Sequence, residues 1–195
     1  MEAFLVSTGV VALAEIGDKT QLLALLLAAR YRRPVPIILG ILVATLANHA
    51  CAAVLGATVA GLLQGEVFRW ILGASFIAMG LWALVPDKLE ADEAKAGPAE
   101  RWGPFLATAV AFFLVEIGDK TQIATVALAA QFHSVVLVTL GTTLGMMAAN
   151  VPAVAIGGFA ATRLPLTTIR TVAAALFVLI GVLVMLDAAG LVALG

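Results

Sequence analysis

The sequence predicts an all-α integral membrane protein, with six transmembrane helices forming two inverted three-helix repeats. Composition, a self-match at one constant offset and the placement of basic residues lead to this expectation. Of 195 residues, 63% are hydrophobic and 12% charged, against about 45–50% and about 25% in soluble domains. Mean hydropathy is +1.11. Shifting the chain by 101 residues lays one half on the other almost without gaps. Phe4-Leu5 falls on Phe105-Leu106, Leu39-Gly40 on Leu140-Gly141, and Gly56 on Gly157. Arg69 falls on Arg170, Phe76 on Phe177 and Gly80 on Gly181. Chance likeness between alanine- and leucine-rich helices does not explain charged and glycine matches at a single offset.

A helix needs about 20 apolar residues to cross the hydrocarbon core. Runs of that kind cover 3–29, 36–63, 69–86, 104–130, 135–161 and 170–192. Arg30-Tyr31-Arg32-Arg33-Pro34 ends the first, and Gln64-Gly65-Glu66 separates the second from the third. The expected division is a first repeat over 1–86, a polar cytoplasmic linker over 87–103 and a second repeat over 104–195. Met1-Glu2-Ala3-Phe4 carries no positive n-region, so the first run reads as a retained span rather than a cleaved signal.

Eight of the 11 Lys and Arg fall after span one, in the linker, or between spans five and six. The opposite loops hold only Arg69. The positive-inside rule then places both termini outside the cytoplasm. Three spans per unit is an odd number, so the second unit enters from the other face. That antiparallel duplication is common in secondary transporters. No basic patch points to nucleic acid. Cys51 is the only cysteine, which excludes an intrachain disulfide, and it reads as a small buried residue.

The chemistry lies in a seven-residue string that occurs twice. Glu15-Ile16-Gly17-Asp18-Lys19-Thr20-Gln21 recurs as Glu116-Ile117-Gly118-Asp119-Lys120-Thr121-Gln122, each near the middle of a span. Ionisable groups at that depth cost roughly 2.5–3.5 kcal/mol each. Left unpaired, six would cost on the order of 15–20 kcal/mol, so they must face one another, water or an ion. On a continuous helix Glu15, Asp18 and Lys19 share a face, with Gln21 toward the same side and Thr20 further round. Gly17 and Gly118 permit close helix contact or a local break. Four carboxylates and two lysines sum to −2, which matches one divalent cation. Carboxylate, amide and hydroxyl oxygens suit hard ions such as Ca²⁺, Mn²⁺ and Mg²⁺. Neither motif holds His, Cys or Met, which argues against zinc-specific or copper sites. Clustered acids take up protons when no cation neutralises them. Metal and protons then compete for one set of oxygens, and competition with alternating exposure gives antiport.

The doubled E-x-G-D-K-T string, set in two three-span halves with a polar linker, resembles the calcium/manganese cation:proton antiporter family. That family includes bacterial manganese exporters and Golgi and chloroplast-envelope exchangers. The resemblance covers essentially the whole chain. It implies a cation site at Glu15, Asp18, Glu116 and Asp119, with Lys19, Lys120, Thr20, Thr121, Gln21 and Gln122 at the remaining motif positions. It also implies Mn²⁺ export, with Ca²⁺ as the other cargo and no prosthetic group. The absence of the organellar members' long N-terminal targeting region suggests a prokaryotic plasma (inner) membrane.

Asn48 and Asn150 lie mid-span, one residue out of strict register, and either complete the cation shell or bond between helices. His49 reads as a buried histidine before it reads as a proton relay. Arg69 and Arg170 read as interfacial residues that snorkel. Asp187 has no repeat counterpart and reads as water-facing. Two other functions compete. An intramembrane aspartyl protease needs two aspartates sharing a proton, and the neighbouring lysines and glutamates do not serve that chemistry. A passive divalent cation channel fits a single narrow acidic site less well than a carrier does. Homodimer formation is left open by the sequence.

Overall fold

Gly17 and Gly118 shape the architecture. Their φ angles are +81° and +77°, a left-handed conformation that glycine adopts without steric cost and that an α-helix cannot continue through. A computed structural model describes residues 1–63, 65–86, 102–156 and 166–192. The described residues form helices joined by short turns, with no strand among them. In chain order the helices are α1 (Glu2–Glu15), α2 (Lys19–Tyr31), α3 (Pro34–Leu62) and α4 (Glu66–Ala83). The second half follows with α5 (Gly103–Glu116), α6 (Lys120–Phe132), α7 (Val135–Ile156) and α8 (Leu166–Ala188).

The expected spans 3–29 and 104–130 are therefore not continuous helices. Each is a pair of half-helices meeting at the motif. With 14 residues in α1 and 13 in α2, each half reaches only about 20 Å at 1.5 Å per residue, short of the roughly 30 Å hydrocarbon core. Among the described residues four helices, α3, α4, α7 and α8, are long and apolar enough to cross a membrane. Of the six expected spans, four correspond to these long helices and two to pairs of shorter helices. Helix α8 also starts at Leu166 rather than 170. Most of the expected linker (87–101), the turn 157–165 and Gln64 lie outside the described residues.

The same endings occur twice. Asp18 (φ −83°, ψ 169°) and Asp119 (φ −73°, ψ 164°) stand extended at the N-caps of α2 and α6. Arg32 (φ 52°) and His133 (φ 49°) close those helices in the left-handed conformation typical of helix ends. Each pair is 101 residues apart. Pro34 then opens α3 at a position where its missing N–H leaves no helix bond unmade.

Packing repeats the pattern. A Cβ on Gly141 (α7) would stand 2.6 Å from Phe4 O and 3.0 Å from Ser7 Cβ on α1. A Cβ on Gly40 (α3) would stand 2.7 Å from Phe105 O and 2.8 Å from Thr108 Cβ on α5. These are equivalent residues at the offset of 101, so one contact is made twice with the halves exchanged. Helices α4 and α8 cross where Gly73 meets Gly181 O and Gly80 meets Ala174 O, both at 2.9 Å from a built Cβ. Small residues let helix backbones approach closely where lipid offers no hydrophobic drive. The buried core includes Phe76 and Phe177 in one cluster and Ile41 and Phe112 in another. Val54, Leu55, Ile71, Leu81 and Leu179 are exposed on the outside, the inverse of a water-facing surface.

Three expectations are corrected. Cys51 is exposed, on the outer side of α3. Asp187 does not simply face water, because Arg69 Nη1 pairs with its Oδ2 at 3.0 Å and ties α4 to α8. Arg170 is more than an interfacial charge, since its Nη2 donates to the Gly17 carbonyl at 3.2 Å.

Candidate functional site

Each motif wraps a helix break. Glu15 closes α1 and Asp18 caps α2; Glu116 closes α5 and Asp119 caps α6. The expectation of one continuous helical face is thus corrected. A tight turn joins the acids instead, with the Asp18 N–H donating to Glu15 O and the Asp119 N–H to Glu116 O, both at 3.1 Å. Breaking a helix also releases its last carbonyls and first N–H groups from intrahelical pairing. Discontinuous helices whose ends line a cavity are the usual way irregular backbone is accommodated within a membrane.

The acids are deeply placed. Glu15 and Glu116 are 0% exposed, Asp18 and Asp119 5%. Glu15 interacts electrostatically with Glu116, Asp18 and Asp119, and Glu116 with Asp119 and Lys19. Acids from both halves therefore share one field. Lys19 Nζ lies 3.6 Å from Asp119 Oδ1, an ion pair across the halves. Lys120 donates to Val85 O at 3.0 Å and stands over the Trp82 ring, 5.7 Å from its centroid.

The threonines fasten the glutamates. The Thr20 hydroxyl donates to Glu15 Oε1, which corrects the expectation that Thr20 points away. Thr121 Oγ1 lies 3.2 Å from Glu116 Oε2 and 3.3 Å from Asp119 Oδ2, and its one proton serves one of them at a time. The glutamines hold the breaks. Gln21 Oε1 accepts from the Gly17 N–H at 3.0 Å while its Nε2 donates to Ala149 O on α7 at 3.0 Å. Gln122 Oε1 accepts from the Gly118 N–H at 2.7 Å, and its Nε2 donates to Asn48 Oδ1 on α3 at 3.4 Å. Asn48 in turn donates to Phe113 O at 3.0 Å. Asn150 Nδ2 lies 3.5 Å from Glu15 Oε1 and 3.1 Å from Met146 O.

Some buried oxygens remain uncommitted. Glu15 Oε2, Glu116 Oε1 and Asn150 Oδ1 have no hydrogen-bond partner among the described residues. Buried carboxylate oxygens in that state call for a proton or a cation. In this conformation, no three His, Cys, Asp or Glu side chains among the described residues are grouped to hold a metal ion. A cavity of about 20 Å³, room for roughly one water, lies beside the first break, lined by Gly17, Asp18, Met79, Lys120, Arg170 and Phe177. Arg170 was missed as a site neighbour in the sequence, although its match with Arg69 marked it.

A sequence model described as "Divalent cation/proton antiporter GDT1" matches residues 3–91 and 104–191. A Vibrio cholerae protein named "Putative manganese exporter" is 54% identical over 180 residues, covering 92% of this chain and 88% of its own. A GDT1-like protein of Synechocystis is 30% identical over 208 residues, covering 93% of this chain and 96% of its own. GDT1-like protein 4 of Oryza sativa is 29% identical over 199 residues, 90% of this chain and 70% of the relative. No solved structure matches.

Proposed function

The chain belongs to the GDT1 family of divalent cation/proton antiporters, and from that premise we propose that it exports Mn²⁺ from the cytoplasm in exchange for protons. Ca²⁺ is the other cargo to be tested. Membership in a transporter family sets aside the protease reading. The name of the Vibrio cholerae relative supports manganese. The proposed setting is a prokaryotic plasma membrane, with both termini outside the cytoplasm and an inverted pair of repeats, 1–86 and 104–195, about a cytoplasmic linker. The contacts that recur with halves exchanged support the inversion.

The observation that carries the site is the pair of fully buried glutamates, each with an oxygen that has no hydrogen-bond partner among the described residues. In the proposed cycle Glu15, Asp18, Glu116 and Asp119 take the cation. Gln21 and Gln122 hold the breaks in shape, and their amide oxygens keep a second lone pair for the ion. Lys19 offsets the charge of Asp119 when the cation has left, and Lys120 flanks Asp18 from the cavity wall. Thr20 and Thr121 orient the glutamates, while Asn48 and Asn150 brace the motifs from α3 and α7. Protons replace the cation on the carboxylates, so the empty carrier returns without leaving several bare charges in low dielectric.

Purified protein in proteoliposomes tests this. An imposed pH gradient should drive Mn²⁺ uphill, and Mn²⁺ entry should move protons the other way. Mn²⁺ flux indifferent to the proton gradient would favour a channel and end the proposal.

A further inference from the structure

The two halves differ at buried positions in the middle of α3 and α7, and one of these is His49. At the offset of 101, His49 of α3 corresponds to Asn150 of α7. The exchanged contacts of Gly40 and Gly141 show that these same two helices, α3 and α7, swap places between the halves. Asn150 Nδ2 lies 3.5 Å from Glu15 Oε1, so the residue equivalent to that glutamate, Glu116, is the counterpart for His49. Both His49 and Glu116 are 0% exposed. Neither ring nitrogen of His49, nor Oε1 of Glu116, has a hydrogen-bond partner among the described residues.

Ordinary packing does not account for this histidine. Buried polar atoms are almost always paired, and one that is not needs a reason. Asn48, its neighbour, already supplies the bond to Gln122 that the Ala149 carbonyl supplies to Gln21 in the other half. His49 is thus left over from the bracing network. Neutral imidazole always offers one nitrogen lone pair. Ca²⁺ and Mg²⁺ take oxygen ligands, whereas first-row transition ions also accept imidazole nitrogen. Resting on the cation-site reading above, we infer that His49 supplies a nitrogen ligand beside Glu116 in the loaded state and so selects first-row divalent ions over Ca²⁺. The oxygen-only shell expected from the motifs becomes a mixed one, with the nitrogen arriving from α3.

The test compares wild type with His49→Asn, which makes the halves alike, and His49→Gln, in proteoliposomes under a pH gradient. Wild type should favour Mn²⁺ over Ca²⁺, and His49→Asn should lower that preference by roughly tenfold, the scale of losing a group that supports a metal site. The loss should appear in the KM for Mn²⁺. Pulsed electron paramagnetic resonance on Mn²⁺ bound to wild type carrying isotope-labelled histidine should show a histidine nitrogen coupling. That readout decides the matter even where a variant does not fold. An unchanged Mn²⁺/Ca²⁺ preference in a folded, active His49→Asn overturns the inference but leaves the site reading standing. So does the absence of histidine coupling in wild type. A wild type that moves neither ion against protons overturns the site reading, and this inference with it.

Discussion

Alanine at Gly17 should destabilise the protein more than alanine at Gly118, although the two glycines hold the same place in their repeats. Both have a left-handed backbone, with φ of +81° and +77°. That conformation costs an L-residue roughly 1–2 kcal/mol. Their surroundings differ. A Cβ on Gly17 would lie 2.7 Å from Leu166 Cδ2 and 3.3 Å from its Cδ1, whereas one on Gly118 would meet nothing within 4 Å among the described residues. The end of a leucine can swing aside, so the added strain is about 1 kcal/mol, the low end of overpacking costs. Gly17→Ala should therefore lose about 2–3 kcal/mol and Gly118→Ala about 1–2 kcal/mol. Reversible denaturant unfolding in detergent micelles measures the difference. Equal losses would refute the packing asymmetry, and no loss at either site would refute the broken helices.

Glu15→Gln and Glu116→Gln keep shape and remove the charge, so each should cut proton-driven Mn²⁺ flux at least tenfold, on the scale of losses at metal sites, with circular dichroism unchanged; native flux in either would remove that residue from the mechanism. Lys19→Ala takes away the ammonium 3.6 Å from Asp119. Apparent Mn²⁺ affinity should then rise and turnover fall, each severalfold, in the same flux assay. Gly40→Ala and Gly141→Ala put a Cβ 2.7 Å and 2.6 Å from backbone oxygens that cannot rotate away. Each should lose about 1–3 kcal/mol, seen as matched drops in Tm.

The duplication and its acids are readable because charge is sparse in this apolar chain, so its recurrence at one offset, with glycines in step, stands out. The breaks were not readable as such. Glycine in an apolar run is compatible with a continuous helix or with an interruption, and nothing in the string fixes φ at Gly17. Helical spacing carried across that break then misplaced Thr20. Helix α3 is apolar on every side, which hides the face it turns toward the protein; hence Cys51 was placed inward. Arg170 looked interfacial because the start of its helix was set four residues late, at 170 instead of Leu166. Strict register pairs His49 with Asn150, while the chemical likeness of Asn48 and Asn150 points one residue away from it.

Titration of purified protein with Mn²⁺ by calorimetry, at several pH values and in buffers of different ionisation enthalpy, reports ion binding and proton release together. If acids from both halves hold metal and protons in turn, one Mn²⁺ binds per chain, protons leave as it binds, and Glu15→Gln with Glu116→Gln abolishes both signals. Mn²⁺ binding that releases no protons, or that survives in the double variant, would contradict the account.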